Sequence, residues 1–242
     1  MRLQKITWLA VLLLGSALSG CAPEQVTPAP EAQTQAAAPQ PSFTPEQSVD
    51  AQDSAVPVIV FLGDSLTAGF GLGPEFALPE QINERLEAAG QDVHVINAGV
   101  SGDTTSGGLA RYDFSVASAN PDLVFVALGA NDYLGGGSPE LARANLHAIL
   151  TRVAADGAQA VLASVEARSN GIDDPRADAF SRIYPELATE FGVPHFIGLL
   201  SKVRGRADLL LQDGLHPTAE GIGLMADDVA AFLLPVIEAL PE

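Results

Sequence analysis

The sequence predicts an α/β fold, a three-layer α/β/α sandwich around a mostly parallel, five-stranded sheet. Three observations carry this. Five short apolar runs recur from residue 58 onward, stretches with helical spacing separate them, and the runs are near-continuously apolar instead of alternating with polar residues. Strands covered by helices on both faces have that last property, and alternation of strand and helix is what a parallel sheet requires.

The strands are taken in order. Val58-Ile59-Val60-Phe61-Leu62 runs into Gly63, and Val93-His94-Val95-Ile96 follows. Leu123 to Leu128 is the longest run, then come Ala160-Val161-Leu162-Ala163 and a short Pro194-His195-Phe196 segment. Helices are expected at about 76–89, 105–118, 138–156, 175–191 and 218–239. The last of these places Ile222, Met225, Val229, Phe232 and Leu233 at helical spacing, with Asp227 and Asp228 on another face. No internal repeat is present.

Ahead of this domain, residues 1–20 read as a signal peptide. Arg2 and Lys5 give a positive start, Ile6 to Leu14 an apolar stretch, and small residues follow. The apolar stretch is shorter than the roughly 20 residues a membrane span needs. Leu18-Ser19-Gly20-Cys21 resembles a bacterial lipobox, which implies cleavage before Cys21 and lipidation of its thiol. Cys21 is the only cysteine, so a disulfide within the chain is excluded. Residues 21–55 are rich in Pro, Ala, Gln, Glu and Thr and nearly devoid of large apolar side chains. Such a composition cannot offset its ordering entropy, and it is expected to form a disordered tether. Residues 56–242 then form one domain with a substantial core. The residue after the cysteine is Ala22; in a Gram-negative host the usual sorting pattern would send such a lipoprotein to the periplasmic face of the outer membrane.

The formal charge is −18, and −20 once Arg2 and Lys5 are removed with the leader. Such a surface excludes nucleic acid as a partner, since phosphate binding needs a positive footprint. Broad docking on anionic lipid is equally disfavoured, so contact with a membrane is expected only through the lipid anchor. No cofactor or metal is expected. No two histidines have ligand spacing, and neither a Gly-Lys-Ser/Thr phosphate loop nor Gly-x-Gly-x-x-Gly occurs.

Four motifs carry chemistry, and three of them fall at successive strand ends, where open parallel sheets form ligand sites. Gly63-Asp64-Ser65-Leu66 follows the first strand, Asn97 to Thr104 the second and Gly129-Ala130-Asn131-Asp132 the third; Asp213-Gly214-Leu215-His216-Pro217 comes near the C-terminus. Together they supply a serine, a backbone amide, a side-chain amide and an Asp-x-x-His pair, the parts of a nucleophile, an oxyanion hole and a base held by a carboxylate. Locally each admits a plainer role. Ser65 is a nucleophile or a helix cap. Gly102 offers an amide to an oxyanion or only satisfies a turn. Asn131 is a second donor or an Asx turn. Asp132 reads as structural, because a negative charge does not help an oxyanion. Asp213 and His216 are spaced so that the carboxylate can set the imidazole tautomer. His94, His147 and His195 lack such a carboxylate in a tight turn and read as structural. Gly69 to Gly73 reads as loop, and Tyr133 with Gly135-Gly136-Gly137 as a flexible rim.

The four blocks in this order resemble the SGNH/GDSL hydrolases, and the resemblance covers about Val58 to Val236. The stretches Gly63–Gly73, Ser101–Arg111 and Asp213–Pro217 are most similar to the bacterial thioesterase, arylesterase and lysophospholipase branch. Thr67 replaces the more usual serine and Ala130 a common glycine, neither at a catalytic position. The resemblance implies the flavodoxin-like fold of that family. It implies Ser65 as nucleophile, His216 as base and Asp213 as its orienter, with the amides of Ser65 and Gly102 and the side chain of Asn131 forming the oxyanion hole. Its substrates would be small acyl esters, thioesters or lysophospholipids, with Leu72–Leu78, Leu109–Phe114 and Gly171–Asp174 as candidate pocket walls. The same scaffold also admits a carbohydrate deacetylase, an acyltransferase or a binding lipoprotein without activity.

Overall fold

The computed structural model describes residues 56–164 and 174–241. The leader, Cys21 and the tether therefore lie outside the described residues, as does Gly171-Ile172-Asp173 of the third candidate wall.

Five strands form one sheet in the order β2-β1-β3-β4-β5, all parallel. They are β1 (Val58–Gly63), β2 (His94–Gly99), β3 (Leu123–Ala127), β4 (Gln159–Ala163) and β5 (His195–Phe196). Alternate residues of each strand feed opposite cores. Ile59, Phe61, Leu123 and Phe125 face α2 (Leu78–Ala88) and α8 (Ala219–Ile237). Val60, Leu62, Val124 and Val126 face α6 (Pro139–Ala155) and α7 (Pro175–Phe191). Both sets are fully buried, which is why the sequence shows unbroken apolar runs. The expected sandwich is thus present, and the sheet is wholly parallel.

Three local features depart from expectation. β2 begins at His94 and continues to Gly99, so Asn97, Ala98 and Gly99 belong to the strand and not to the loop after it. They stay in register because Phe61, Leu62 and Gly63 of β1 pair with them. The helix expected over 105–118 is instead α3 (Thr105–Ala110), α4 (Tyr112–Ser115) and a 3₁₀ turn, Ala117–Ala119. The break falls at Arg111, whose side chain turns inward to Asp103 and Gly63. Pro74–Phe76 is a separate 3₁₀ turn ahead of α2.

The chain runs from β1 outward to β2, then crosses to β3 on the other side of β1. That reversal opens a crevice at the carboxyl ends of β1 and β3, the usual ligand position in open α/β sheets. Two short helices start there: α1 (Ser65–Ala68) after β1 and α5 (Ala130–Leu134) after β3. β2 presses α1 from below. A Cβ on Gly99 would stand 2.5 Å from the backbone nitrogen of Ala68, so only glycine fits.

Candidate active site

Asp64 follows β1 and caps α1. Its Oδ1 accepts from the amide of Leu66 at 3.0 Å, which fixes Ser65 as the first helical residue. Ser65 Oγ lies 2.8 Å from Nε2 of His216, and Nδ1 of that ring lies 2.7 Å from Oδ2 of Asp213. Asp213 Oδ1 in turn accepts from the amides of Leu215 and His216, at 2.9 and 3.0 Å. With an acceptor-only carboxylate at Nδ1, that nitrogen carries a proton and Nε2 is free to take one from the serine. The hydrogen bond from His216, with those two amides, holds the Asp213 carboxyl down to about 2.

Gly102 sits in the loop after β2 with φ of 82°. Its amide, like that of Ser65, donates to no described residue. Asn131 is the second residue of α5, not the end of a strand. Its Nδ2 donates to the Asp103 carbonyl at 2.8 Å and, more weakly, to Asp64 Oδ2 at 3.3 Å. The structure therefore brings Ser65, His216 and Asp213 into one hydrogen-bonded chain. It ties Asn131 to the cap of the serine helix and to the residue after Gly102.

Beneath these groups lies a largely covered polar lattice that sequence reasoning mostly missed. Arg111 donates from Nε to Asp103 Oδ2 at 2.8 Å and from Nη2 to the Gly63 carbonyl at 3.1 Å, joining the first two motifs. Asp103 also accepts from the amide of Thr104. Asp132 is structural as expected: it accepts from both the amide and the hydroxyl of Thr105, and Asn145 of α6 donates to that hydroxyl. Asp64 is only 1% exposed, and burial pushes its carboxyl up to about 6. The signal in the sequence was slight, an arginine inside the Ser101–Arg111 stretch of a chain poor in basic residues.

The surroundings sort the remaining candidates. Tyr133 is tied down: its hydroxyl donates to Asp174, the cap of α7, and Arg176 stacks 4.7 Å above its ring. Leu72 and Leu78 pack into one core and Leu109 against the other, whereas Phe114 is exposed. His147 pairs with Glu190, and neither it nor His94 or His195 bonds to Ser65, Gly102 or Asn131. Among the described residues no group of three or more His, Cys, Asp or Glu is placed to hold a metal. A groove of about 550 Å³ runs beside the histidine loop, lined by Ala207, Leu210, Leu211 and Gln212.

The chain belongs to the GDSL-like lipase/acylhydrolase family, whose model matches residues 61–223. The family resemblance read from the four motifs is thereby borne out. The chain is 36% identical to an arylesterase of Vibrio mimicus over 77% of its own length and 92% of that protein. It is 34% identical to thioesterase 1/protease 1/lysophospholipase L1 of Escherichia coli K12, over 76% of its length and 86% of that protein. Among solved structures, AlinE4, an SGNH-hydrolase family esterase, superposes with a TM-score of 0.62. It shares 37% identity, over 79% of this chain and all of that one.

Proposed function

We propose that this protein is a serine esterase that cleaves acyl esters and thioesters through an acyl-enzyme on Ser65. The observation that carries the reading is the continuous hydrogen-bonded chain from Ser65 Oγ through His216 to Asp213. Its named relatives are an arylesterase and a thioesterase/lysophospholipase, which agree with it.

In this mechanism Ser65 Oγ attacks the acyl carbonyl while His216 Nε2 takes its proton. Asp213 holds the ring and balances the imidazolium. The amides of Ser65 and Gly102 and the Asn131 side chain receive the negative charge on the carbonyl oxygen. Asn131 gives up its weaker bond, the 3.3 Å contact to Asp64, to do so. The proton then passes to the leaving group, and water releases the acyl chain by the same route in reverse.

The lipobox-like Leu18-Ser19-Gly20-Cys21 supports an exported protein lipidated on Cys21 and held at a membrane by that anchor, on the periplasmic face of the outer membrane in a Gram-negative host. Lysophospholipids are then substrates within reach of the tether.

The test is hydrolysis of p-nitrophenyl esters from acetyl to palmitoyl by the wild type and Ser65→Ala. Turnover should fall by about 10⁶ in the variant. Activity that survives the substitution would remove Ser65 from the reaction.

A further inference from the structure

The Gly69-Phe70-Gly71-Leu72-Gly73 stretch has no task in the mechanism so far, yet it leads directly out of the serine helix. Gly69 and Gly71 have φ of 76° and 77°, so the backbone turns on either side of Phe70. The Phe70 amide donates to the Ser65 carbonyl at 3.1 Å. Gly71 lies against the histidine loop, where a Cβ would stand 3.0 Å from Leu211 Cδ1. The aromatic ring thus comes to rest on His216, with ring centroids 4.3 Å apart and planes tilted by 32°. Despite that contact, Phe70 remains 46% exposed. Phe70 thus gives one face to the imidazole and leaves nearly half of its surface open directly beside the serine–histidine pair.

We propose that Phe70 contacts the leaving group of the substrate and gives the enzyme a preference for esters of aromatic alcohols and thiols. The proposal rests on the acyl-transfer reading above. During acylation the bond from Ser65 Oγ to the acyl carbon forms and the bond from that carbon to the leaving oxygen or sulfur breaks. The proton lost by Oγ reaches the leaving atom through His216 Nε2. That atom must therefore come within hydrogen-bond reach of Nε2, which sets the leaving group beside the ring stacked on the imidazole. The acyl chain is under no such constraint. An aromatic leaving group can meet Phe70 edge-on or offset, a contact that a methyl or ethyl group is too small to make. Once the alcohol has left, the acyl-enzyme is the same whatever the starting ester, so the contact acts on acylation alone.

The experiment is a set of butyrate esters sharing one acyl-enzyme, with phenyl, 2-naphthyl, methyl and ethyl leaving groups. Values of kcat/KM are compared for wild type, Phe70→Ala, Phe70→Leu and Phe70→Trp, together with the decay rate of the butyryl-enzyme. In Phe70→Ala and Phe70→Leu the aryl-to-alkyl ratio of kcat/KM should fall about tenfold, while Phe70→Trp keeps it. The loss should appear in acylation and not in the decay of the shared intermediate. A loss equal for all four esters, with slowed decay, would make Phe70 a mere support for His216 and overturn the proposal. So would an unchanged ratio in both truncated variants. Failure of the underlying reading looks different: the wild type would turn over none of the esters, or Ser65 would not be labelled by a fluorophosphonate.

Discussion

Ser65 and His216 meet at 2.8 Å, but the two sides of that contact are built by opposite means. The serine side rests on the buried Asp64 and is assembled from distant parts of the chain. Asn131 reaches Asp64 across 67 residues and Arg111 reaches Gly63 across 48. The histidine side is local and its carboxylate is open: Asp213 and His216 are three residues apart, and the Asp213 side chain is 40% exposed against 14% for His216. Each side moves its carboxyl in its own direction. Burial lifts Asp64 to about 6, while hydrogen bonds hold Asp213 at about 2. One side supplies fixed geometry, which takes a hydrogen-bonded polar lattice largely covered from solvent. The other supplies a proton acceptor, which needs a single well-placed charge.

Four experiments would break or sharpen this contrast. Asp213→Asn should be the most severe for activity, with kcat falling about 10⁴, because the wrong tautomer would face the serine. The fold should be little affected, since the residue is exposed; esterase assays paired with thermal melts read both. Asn131→Ala should lower kcat by about 10²–10³ through the lost donor, and it also removes a partner of Asp64. Arg111→Met should act in the reverse sense. It leaves Asp103 unpaired where both side chains are mostly covered, 19% and 10% exposed. A loss of roughly 2–3 kcal/mol in urea unfolding is expected. If its stability matched wild type, the lattice would be decorative.

The smallest effect is in pH dependence. Asp64 binds its proton more tightly in the folded chain, so its contribution favours the fold as pH falls from about 6 to about 4. Asp213 binds its proton less tightly when folded, so its stabilisation is present above about 4 and lost as pH falls toward about 2. Asp64→Asn should remove the first slope and Asp213→Asn the second, as read from urea midpoints from neutral pH down to about pH 2. Variants that both track the wild type would erase the distinction between the two carboxylates.

The same contrast decides what the sequence could disclose. The Asp213–His216 pair is legible because a three-residue spacing in a Gly/Pro-bounded turn is a local fact. The strands are legible because burial on both faces writes itself as unbroken apolar runs such as Val58–Leu62. The end of β2 is not, since Asn97 and Gly99 are held in the strand by pairing with β1 and carry no strand pattern of their own. Nor are α1 and α5, which are too short to show a helical period. The lattice of Asp64, Asp103, Arg111 and Asn131 joins residues brought close only by the finished sheet, and no spacing encodes it. Phe70 lies hidden for the same reason, its partner His216 being nearly the whole domain away.

The loop that carries Asp213 and His216 is closed at its neck. Leu210 and Pro217 form an antiparallel bridge, the Leu211 amide donates to the His216 carbonyl at 2.7 Å, and the Thr218 amide donates to the Leu209 carbonyl. Between those neck residues the loop is shaped largely by its own bonds, while its ends are anchored in the domain: Leu209 is fully buried in the core, and the Thr218 hydroxyl accepts from the Gly221 amide at the start of α8. Such a segment is a natural cassette. Evolution, or an engineer grafting it between homologues, can exchange the stretch between Leu210 and Pro217 and carry the proton acceptor along intact, provided Leu209 in the core and the Thr218 cap of α8 are kept.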